Sequence, residues 1–391
     1  MNDDIPSDPK QGEAIPIRSL KELLDMASGI SAVKSEVQED LGFAEILPFP
    51  FLGVVGQKEM KLALLLALIN PAIGGVLLIG PRGTGKTTAV RGLVDLLPEI
   101  KRSACAYGCL PEDIEEGGID AVCPDCAKKY AEGKPLTRSD TVHIIELPLN
   151  ARLEDVIGGL DERAISLERM RLRRGILSQA DLNILYVDEV NLLADDIVDA
   201  LLDASAQGSY TVRRGAISAT YRSRFTLIGS MNPEEGSLRS QIMDRFGLRI
   251  FATGLAGAEE RLLAYERTHQ YRQSPHRLIQ QFINDTIVAR QEIQSARDML
   301  PRVTLPEDVA NRGVHLIQEL GIDSLRAEIT LFEAAKGYAA ADARTQVELS
   351  DLIEVAPMAL RLRNSEFLQN FFEKSRTEED QLKSSIHSII K

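Results

Sequence analysis

The stretch GPRGTGKTT, residues 80–88, decides the fold. It follows GGVLLI (74–79), a short apolar run that reads as a buried strand. It runs into KTTAVRGLVDLL (86–97), which reads as a helix ended near Pro98. Every required position of G-x-x-x-x-G-K-[ST] is filled: Gly80, then Pro81, Arg82, Gly83 and Thr84, then Gly85, Lys86 and Thr87, with Thr88 behind them. Strand before and helix after is the context a phosphate-binding loop requires. The glycines let the backbone curl so that its N–H groups point inward at phosphate oxygens, and the helix adds its positive N-terminal end. In that geometry Lys86 reaches the β- and γ-phosphates and Thr87 ligates Mg²⁺.

Three further segments supply chemistry for such a loop. ILYVDEV (184–190) puts Asp188 and Glu189 at the exit of an apolar strand, where sites gather in α/β sheets. Asp188 would hold the Mg²⁺ directly or through water, and Glu189 would polarise an attacking water as general base. In TLIGSMNPEEG (226–236), Asn232 follows another apolar strand, and a neutral amide there can orient the water or contact the γ-phosphate without adding charge. In SQIMDRFGLRI (240–250), Arg245 stands beside Asp244 after a helical turn; an arginine that reaches a neighbouring subunit's γ-phosphate stabilises transition-state charge. Arg239 is a nearby rival. Each segment has a plainer reading as well: solvated acids at a strand end, an Asn-Pro turn, an Asp–Arg surface pair.

Around these motifs the chain alternates strands and helices up to about residue 256, then turns helical. HRLIQQFINDTIVARQEIQSARDML (276–300) typifies the second part. The expected fold class is α/β, a parallel sheet between helices followed by a helical domain. The expected divisions are a polar tail at 1–44 with one short helix around LKELLDMA, an α/β core at 45–256, and a helical domain at 257–391. A polar, loop-rich insertion at about 101–140 interrupts the core. The tail after about residue 366 reads as helical and charged.

Acidic residues (58) outnumber basic ones (45), and the formal net charge is −13, so no global field attracts a polyanion. No run approaches a membrane span, and the acidic start MNDDIPSDPKQGEAIP lacks the basic and apolar regions of a secretory signal. A cytoplasmic protein is expected.

The four motifs, in this order, resemble those of the AAA+ ATPases. Four segments resemble more narrowly the ATPase subunit I of magnesium chelatase: LPLNARLEDVIGGLD, NILYVDEVNLLADDIVDALLDASAQG, GSMNPEEGSLRSQIMDRFGL and GIDSLRAEIT. The resemblance spans about residues 45–365. It implies that Gly80–Thr88 is Walker A, that Asp188 and Glu189 are Walker B, and that Asn232 is sensor 1. It implies further that Arg245 is the arginine finger and that Arg326, in SLRAEIT, is sensor 2 on a helical lid. By spacing alone Arg326 would be an ordinary helical surface arginine. The resemblance also makes LEDVIGGLDERAISLERM an insert near helix 2 and YTVRRGAISATYRSRF a hairpin before sensor 1. The cofactors it implies are ATP and Mg²⁺. The partners are further copies in a ring, a hexamer in this family, a D-type subunit, and a large porphyrin-binding H-type subunit that carries out Mg²⁺ insertion into protoporphyrin IX, in chlorophyll and bacteriochlorophyll synthesis.

Other jobs fit parts of the pattern. A MoxR-like or cobalt-chelatase-like remodelling ATPase shares the motifs. A DNA motor would have to use the basic hairpin VRRGAISATYRSR against an acidic background. A scaffold that binds nucleotide without hydrolysis would leave Glu189, Asn232 and Arg245 unexplained.

All four cysteines fall in the insertion: Cys105-x₃-Cys109 and Cys123-Pro-Asp-Cys126. Two close pairs across a polar loop can form a tetrahedral zinc site; a thiol switch and four unrelated thiols are the rival readings. His143, in an apolar neighbourhood, reads as a core histidine, with replacement metal ligand as the rival role.

Overall fold

The computed structural model describes residues 47–363, apart from residues 106, 161–171, 216, 237 and 239. The N-terminal helix, Arg239, most of the insert LEDVIGGLDERAISLERM and the tail after residue 366 lie outside the described residues.

Five strands form the central sheet: β1 (Val76–Ile79), β2 (Ile144–Glu146), β3 (Ile184–Val187), β4 (Thr226–Met231) and β5 (Leu248–Phe251). Their spatial order is β5-β1-β4-β3-β2, and every neighbouring pair is parallel. Parallel neighbours need crossovers, and helices α1 (Lys58–Ile69), α2 (Lys86–Gly92), α3 (Asp195–Gln207) and α4 (Ser240–Arg245) lie between or before them. All residues of β1, β3 and β4 are buried. Alternate side chains sort to opposite faces. Val76, Leu78, Ile184, Tyr186, Ile228, Leu248 and Ile250 join α1 in one apolar cluster, whereas Leu77, Ile79, Leu185, Val187 and Leu227 join α3 in the other.

Among the described residues three antiparallel pairs stand outside this sheet, one of them Gly158–Leu160 with Leu172–Arg174. Ser209–Arg214 pairs with Ile217–Arg222, the hairpin expected before β4. Glu99–Ser103 pairs with Thr137–Thr141 and forms a stem beneath the cysteine-bearing segment. TVHIIELPL, which reads as one strand, is therefore split: Thr141 closes the stem and only Ile144–Glu146 enters the sheet. His143 sits between them, exposed, with Nε2 3.4 Å from Asp140. The reading of His143 as a core histidine is corrected: at this split Val142 takes the inward position in the core, and the His143 side chain turns outward to Asp140.

After β5 the described chain is helical: α5 (Ala258–Gln273), α6 (Pro275–Met299), α7 (Glu307–Glu319), α8 (Leu325–Ala341) and α9 (Leu349–Leu360), with one isolated bridge between Thr304 and Gln346. No described helix is long and apolar enough to cross a membrane.

Helices α6 to α9 share the first apolar cluster. Ala327, Leu331, Ala334, Ala335 and Ala339 of α8 pack with Leu64, Leu66 and Ala67 of α1. Asn70 caps the contact, donating from Nδ2 to Glu333 O at 3.0 Å and Glu333 Oε2 at 2.8 Å. The end of the helical region clasps β5. Arg249, only 1% exposed, donates to Arg361 O at 3.0 Å, Leu362 O at 2.6 Å and Met243 O at 2.8 Å. Arg361 returns a bond to Arg249 O at 2.9 Å. Burial, with Arg363 nearby, pushes the Arg249 guanidinium down to about 10. Carbonyl acceptors replace the water it has lost.

A shared core couples the stability of both regions. Leu331→Ala removes a fully buried side chain from the common cluster and should cost about 2–5 kcal/mol. Calorimetry should show one transition shifted as a whole; separate melting of sheet and helices would contradict the shared core.

Candidate functional site

The site is built where β1, β3 and β4 stop. Apolar strands carry their chain out of the core at these ends, and the next residues are the polar ones. Gly80–Gly85 leaves β1 and enters α2, whose N-cap is Gly85. Gly83 and Gly85 have φ of +81° and +86°, and a Cβ on either would meet nothing within 4 Å. The loop therefore bounds open space with backbone that L side chains rarely adopt. Lys86 points back into the loop and donates from Nζ to Gly80 O at 2.6 Å and Pro81 O at 2.8 Å. Burial pushes its ammonium below the ordinary lysine value, opposed by the nearby Asp188, Glu189 and Glu235 carboxylates.

Thr87 and Asp188 face each other. Thr87 Oγ1 lies 3.3 and 3.1 Å from the two Asp188 carboxylate oxygens. Tyr186 OH is 3.0 Å from Asp188 Oδ1 and 3.3 Å from Thr87 Oγ1. Burial raises the Tyr186 phenol well above its ordinary range, so it stays a donor. Ser230 Oγ donates to Asp188 Oδ1 and accepts from the Glu189 N–H at 3.1 Å. A hydroxyl and a carboxylate side by side are hard oxygen donors of the kind Mg²⁺ takes. The residues thus fit MgATP: loop amides and Lys86 for phosphates, Thr87 and Asp188 for the cation.

Glu189 adopts a left-handed backbone, φ +54° and ψ +55°. For a non-glycine residue this costs of order 1–3 kcal/mol. The conformation is held by the Ser230 bond. Arg82, 73% exposed, reaches Glu189 Oε1 at 3.2 Å and Glu235 Oε1 at 2.7 Å. Asn232 is buried; its Nδ2 donates to Glu235 Oε1 at 3.2 Å and its Oδ1 accepts from the Glu234 N–H at 3.3 Å. Loop, acids and amide together line a cleft of about 370 Å³.

Arg245 and Arg326 are elsewhere. They line a second cleft of about 400 Å³ with Asp199, Leu202, Asp203 and Asp244, and it shares no lining residue with the first. Arg326 donates to Asp244 Oδ2 at 2.7 Å. Asp244 also lies 3.4 Å from Arg363 and 3.7 Å from Arg249. Burial and the neighbouring Arg326 lower the Arg245 guanidinium, opposed by Asp203 and Asp244. Arg326 is therefore a companion of Arg245 within the chain, tied to the end of α4.

The four cysteines form a third place. Their sulfur atoms all lie within 4.8 Å of one another, and His143 is not among them.

Sequence reading missed Ser230, Tyr186, Glu235 and the Arg82 pairs. Ser230 left one signal, a hydroxyl inside the apolar strand TLIGSM, since a buried hydroxyl requires a partner. Arg82 and Glu235 gave none, because their loops meet only in three dimensions.

Comparison with known proteins identifies relatives over most of the chain. The family model described as "Magnesium chelatase, subunit ChlI" matches residues 162–245, and one described as "AAA lid domain" matches residues 311–385. The chain is 40% identical over 335 residues to the "Magnesium-chelatase subunit ChlI homolog" of Methanocaldococcus jannaschii, covering 85% of this chain and 90% of that one. It is 40% identical over 317 residues to the "Magnesium-chelatase 38 kDa subunit" of Acidiphilium rubrum, covering 81% and 90%. A crystal structure of a Cytophaga hutchinsonii protein has the same fold, with a TM-score of 0.51 at 20% identity over 79% of this chain and 83% of that one.

Ser230→Ala should loosen Asp188 and Glu189 together. The expected result is about a tenfold loss of nucleotide affinity in the presence of Mg²⁺ and no change in EDTA. Equal losses in both conditions would mean that Ser230 serves the loop and not the acids.

Proposed function

The chain belongs to the magnesium-chelatase subunit ChlI family, and on that premise we propose that it is the AAA+ ATPase motor of a magnesium chelatase. It hydrolyses ATP and drives Mg²⁺ insertion into protoporphyrin IX, which a partner catalytic subunit performs. The observation that carries this reading is the Thr87–Asp188–Ser230 network beside Glu189, set at the carboxyl ends of β1, β3 and β4. A MoxR-like or cobalt-chelatase-like job would use the same cleft. The identity over more than four-fifths of the chain to proteins named as magnesium-chelatase subunits favours the chelatase.

When bound, MgATP supplies the phosphoryl group whose transfer to water releases the energy. The residues' roles follow from their places. Loop amides of Gly83–Gly85 and the Lys86 ammonium bind the phosphates. Thr87 and Asp188 hold the cation, and Tyr186 and Ser230 fix Asp188. Glu189 takes the proton of the attacking water at a carboxylate oxygen, and Asn232 orients that water. Arg82 holds Glu189 Oε1 in the resting arrangement and has to release it for the carboxylate to act as base.

Arg245 and Arg326 complete a neighbour's site. Their shared cleft is separate from the phosphate loop, so in a homo-oligomeric ring, a hexamer on this reading, both arginines arrive together from the adjacent copy. Sensor 2 would then act between subunits, with Asp244 holding Arg326 until the γ-phosphate replaces it. The same reading divides the chain into a core at 45–256 and a helical lid at 257–391, places it in the cytoplasm, and gives it D-type and porphyrin-binding H-type partners without nucleic acid. Zinc on the four cysteines would be structural and take no part in hydrolysis.

Reconstitution of the chain with Mg²⁺, ATP, protoporphyrin IX and its cognate D- and H-type subunits, followed by porphyrin fluorescence, tests the function. Metallation should require this chain and vanish with Lys86→Ala; hydrolysis without metallation would assign it to the remodelling ATPases. Glu189→Gln should keep nucleotide binding and lose turnover by a factor of about 10² or more. Mixing Lys86→Ala chains with Arg245→Ala chains should restore part of the ATPase activity that each lacks, because a hybrid interface joins an intact loop to an intact arginine. The same recovery is expected with Arg326→Ala, and its failure there would return Arg326 to its own subunit's nucleotide.

A further inference from the structure

We propose that Cys105, Cys109, Cys123 and Cys126 bind one structural Zn²⁺ through four thiolates, and that this metal holds the segment 104–136 against the hairpin that feeds β4. The four sulfur atoms lie within 4.8 Å of one another. A tetrahedron with Zn–S bonds of about 2.3 Å has edges of about 3.8 Å, so a contraction of about 1 Å or less brings the sulfurs onto the ion. Among the described residues this is the group of His, Cys, Asp and Glu side chains with that convergence.

Two of the four sulfurs already accept from surrounding donors. The Cys109 N–H points at Cys105 Sγ at 3.4 Å, the Cys123 N–H points at Cys109 Sγ at 3.3 Å, and Ser103 Oγ lies 3.4 Å from Cys105 Sγ. Hydrogen bonds onto sulfur stabilise its charged form, and several thiolates gathered this closely repel unless a cation lies between them. Binding replaces each remaining thiol proton by a Zn–S bond and releases that proton to solvent.

The segment also lacks another source of stability. Among the described residues its apolar cluster has Cys109, Val122, Cys126 and Leu136 as buried members and is separate from both clusters of the sheet. A core this small is ordinarily stapled by a metal or a disulfide. Two short helices, Pro111–Gly117 and Pro124–Ala131, hang on the cysteine positions.

The consequence lies beyond the insertion. Tyr107 stacks on Tyr221 with ring centres 5.7 Å apart, and Asp113 meets Arg222 at 2.6 Å. Gly108, with φ +79°, approaches so closely that a Cβ would lie 3.0 Å from Asp181 Oδ2. Asp181 in turn holds Arg224 at 3.1 and 3.0 Å. Tyr221, Arg222 and Arg224 precede β4, which carries Ser230 and ends at Met231, one residue before Asn232. The ion would thus brace the strand that leads to both site residues without touching nucleotide.

Metal analysis of the purified full chain after dialysis decides the first half, and it does so whether or not the chain drives a chelatase. One Zn²⁺ per chain is expected, released only when a mercurial has modified the thiols. Replacement by Co²⁺ should give thiolate charge-transfer bands and the intense d–d pattern of a tetrahedral site. No zinc, with four freely reacting thiols or with disulfides, overturns the proposal, as does iron at the site. Cys123→Ser with Cys126→Ser should lose the metal and raise hydrogen exchange in 209–232, while nucleotide binding in EDTA persists. Should that variant fail to fold, the Co²⁺ spectrum of the unaltered chain still decides metal binding, and unchanged exchange in 209–232 on removing zinc from it overturns the bracing.

Discussion

Burial of β1, β3 and β4 on both faces is the constraint from which the rest of the molecule follows. No side chain along these strands can face water, so alternate residues must be apolar on both sides. Polar groups are left only at the strand ends. Because all five strands are parallel, their carboxyl ends lie along one edge. Loop, acids and amide converge there by the topology of the sheet. Two of the buried polar exceptions, Tyr186 and Ser230, both spend their hydroxyls on Asp188.

On the proposed reading, that edge holds one half of a catalytic arrangement. Glu189 is fixed in an unfavourable backbone conformation by a bond to Ser230, and its carboxylate is engaged by Arg82. The arginines that would neutralise developing phosphate charge sit in another cleft, with Asp244 as their common acid. A chain that separates its own acids from its own arginines is suited to work beside a copy of itself. The clasp of Arg249 and Arg361 around β5 ties the helical region to the same α4 turn. A displacement of Arg326 by a neighbour's nucleotide would therefore be felt by the helices.

The cysteine-bearing segment meets this machinery at the hairpin before β4 and at Asp181, just ahead of β3. Its own core is too small to order it, and its contacts to Tyr221 and Arg222 are specific. Stiffening at a distance of a few residues from Ser230 and Asn232 is what a bound ion would contribute there.

The sequence by itself determined the phosphate loop, the acids at a strand exit, the amide after the next strand and the α/β class. Those features rest on local order: a strand, a glycine-rich turn and a helix are contiguous, and the chemistry sits within a few residues of each strand end. The close pairing of cysteines was legible for the same reason. Tertiary structure alone decided that Ser230 and Tyr186 hold Asp188, that Arg82 reaches Glu189 and Glu235, and that His143 is exposed between two sheets. It also decided that Arg326 lies with Arg245 and away from the loop. These facts depend on which strands become neighbours and which loops meet. Residues such as Asp244 and Arg326 are far apart in the chain, and only packing brings them within hydrogen-bond distance.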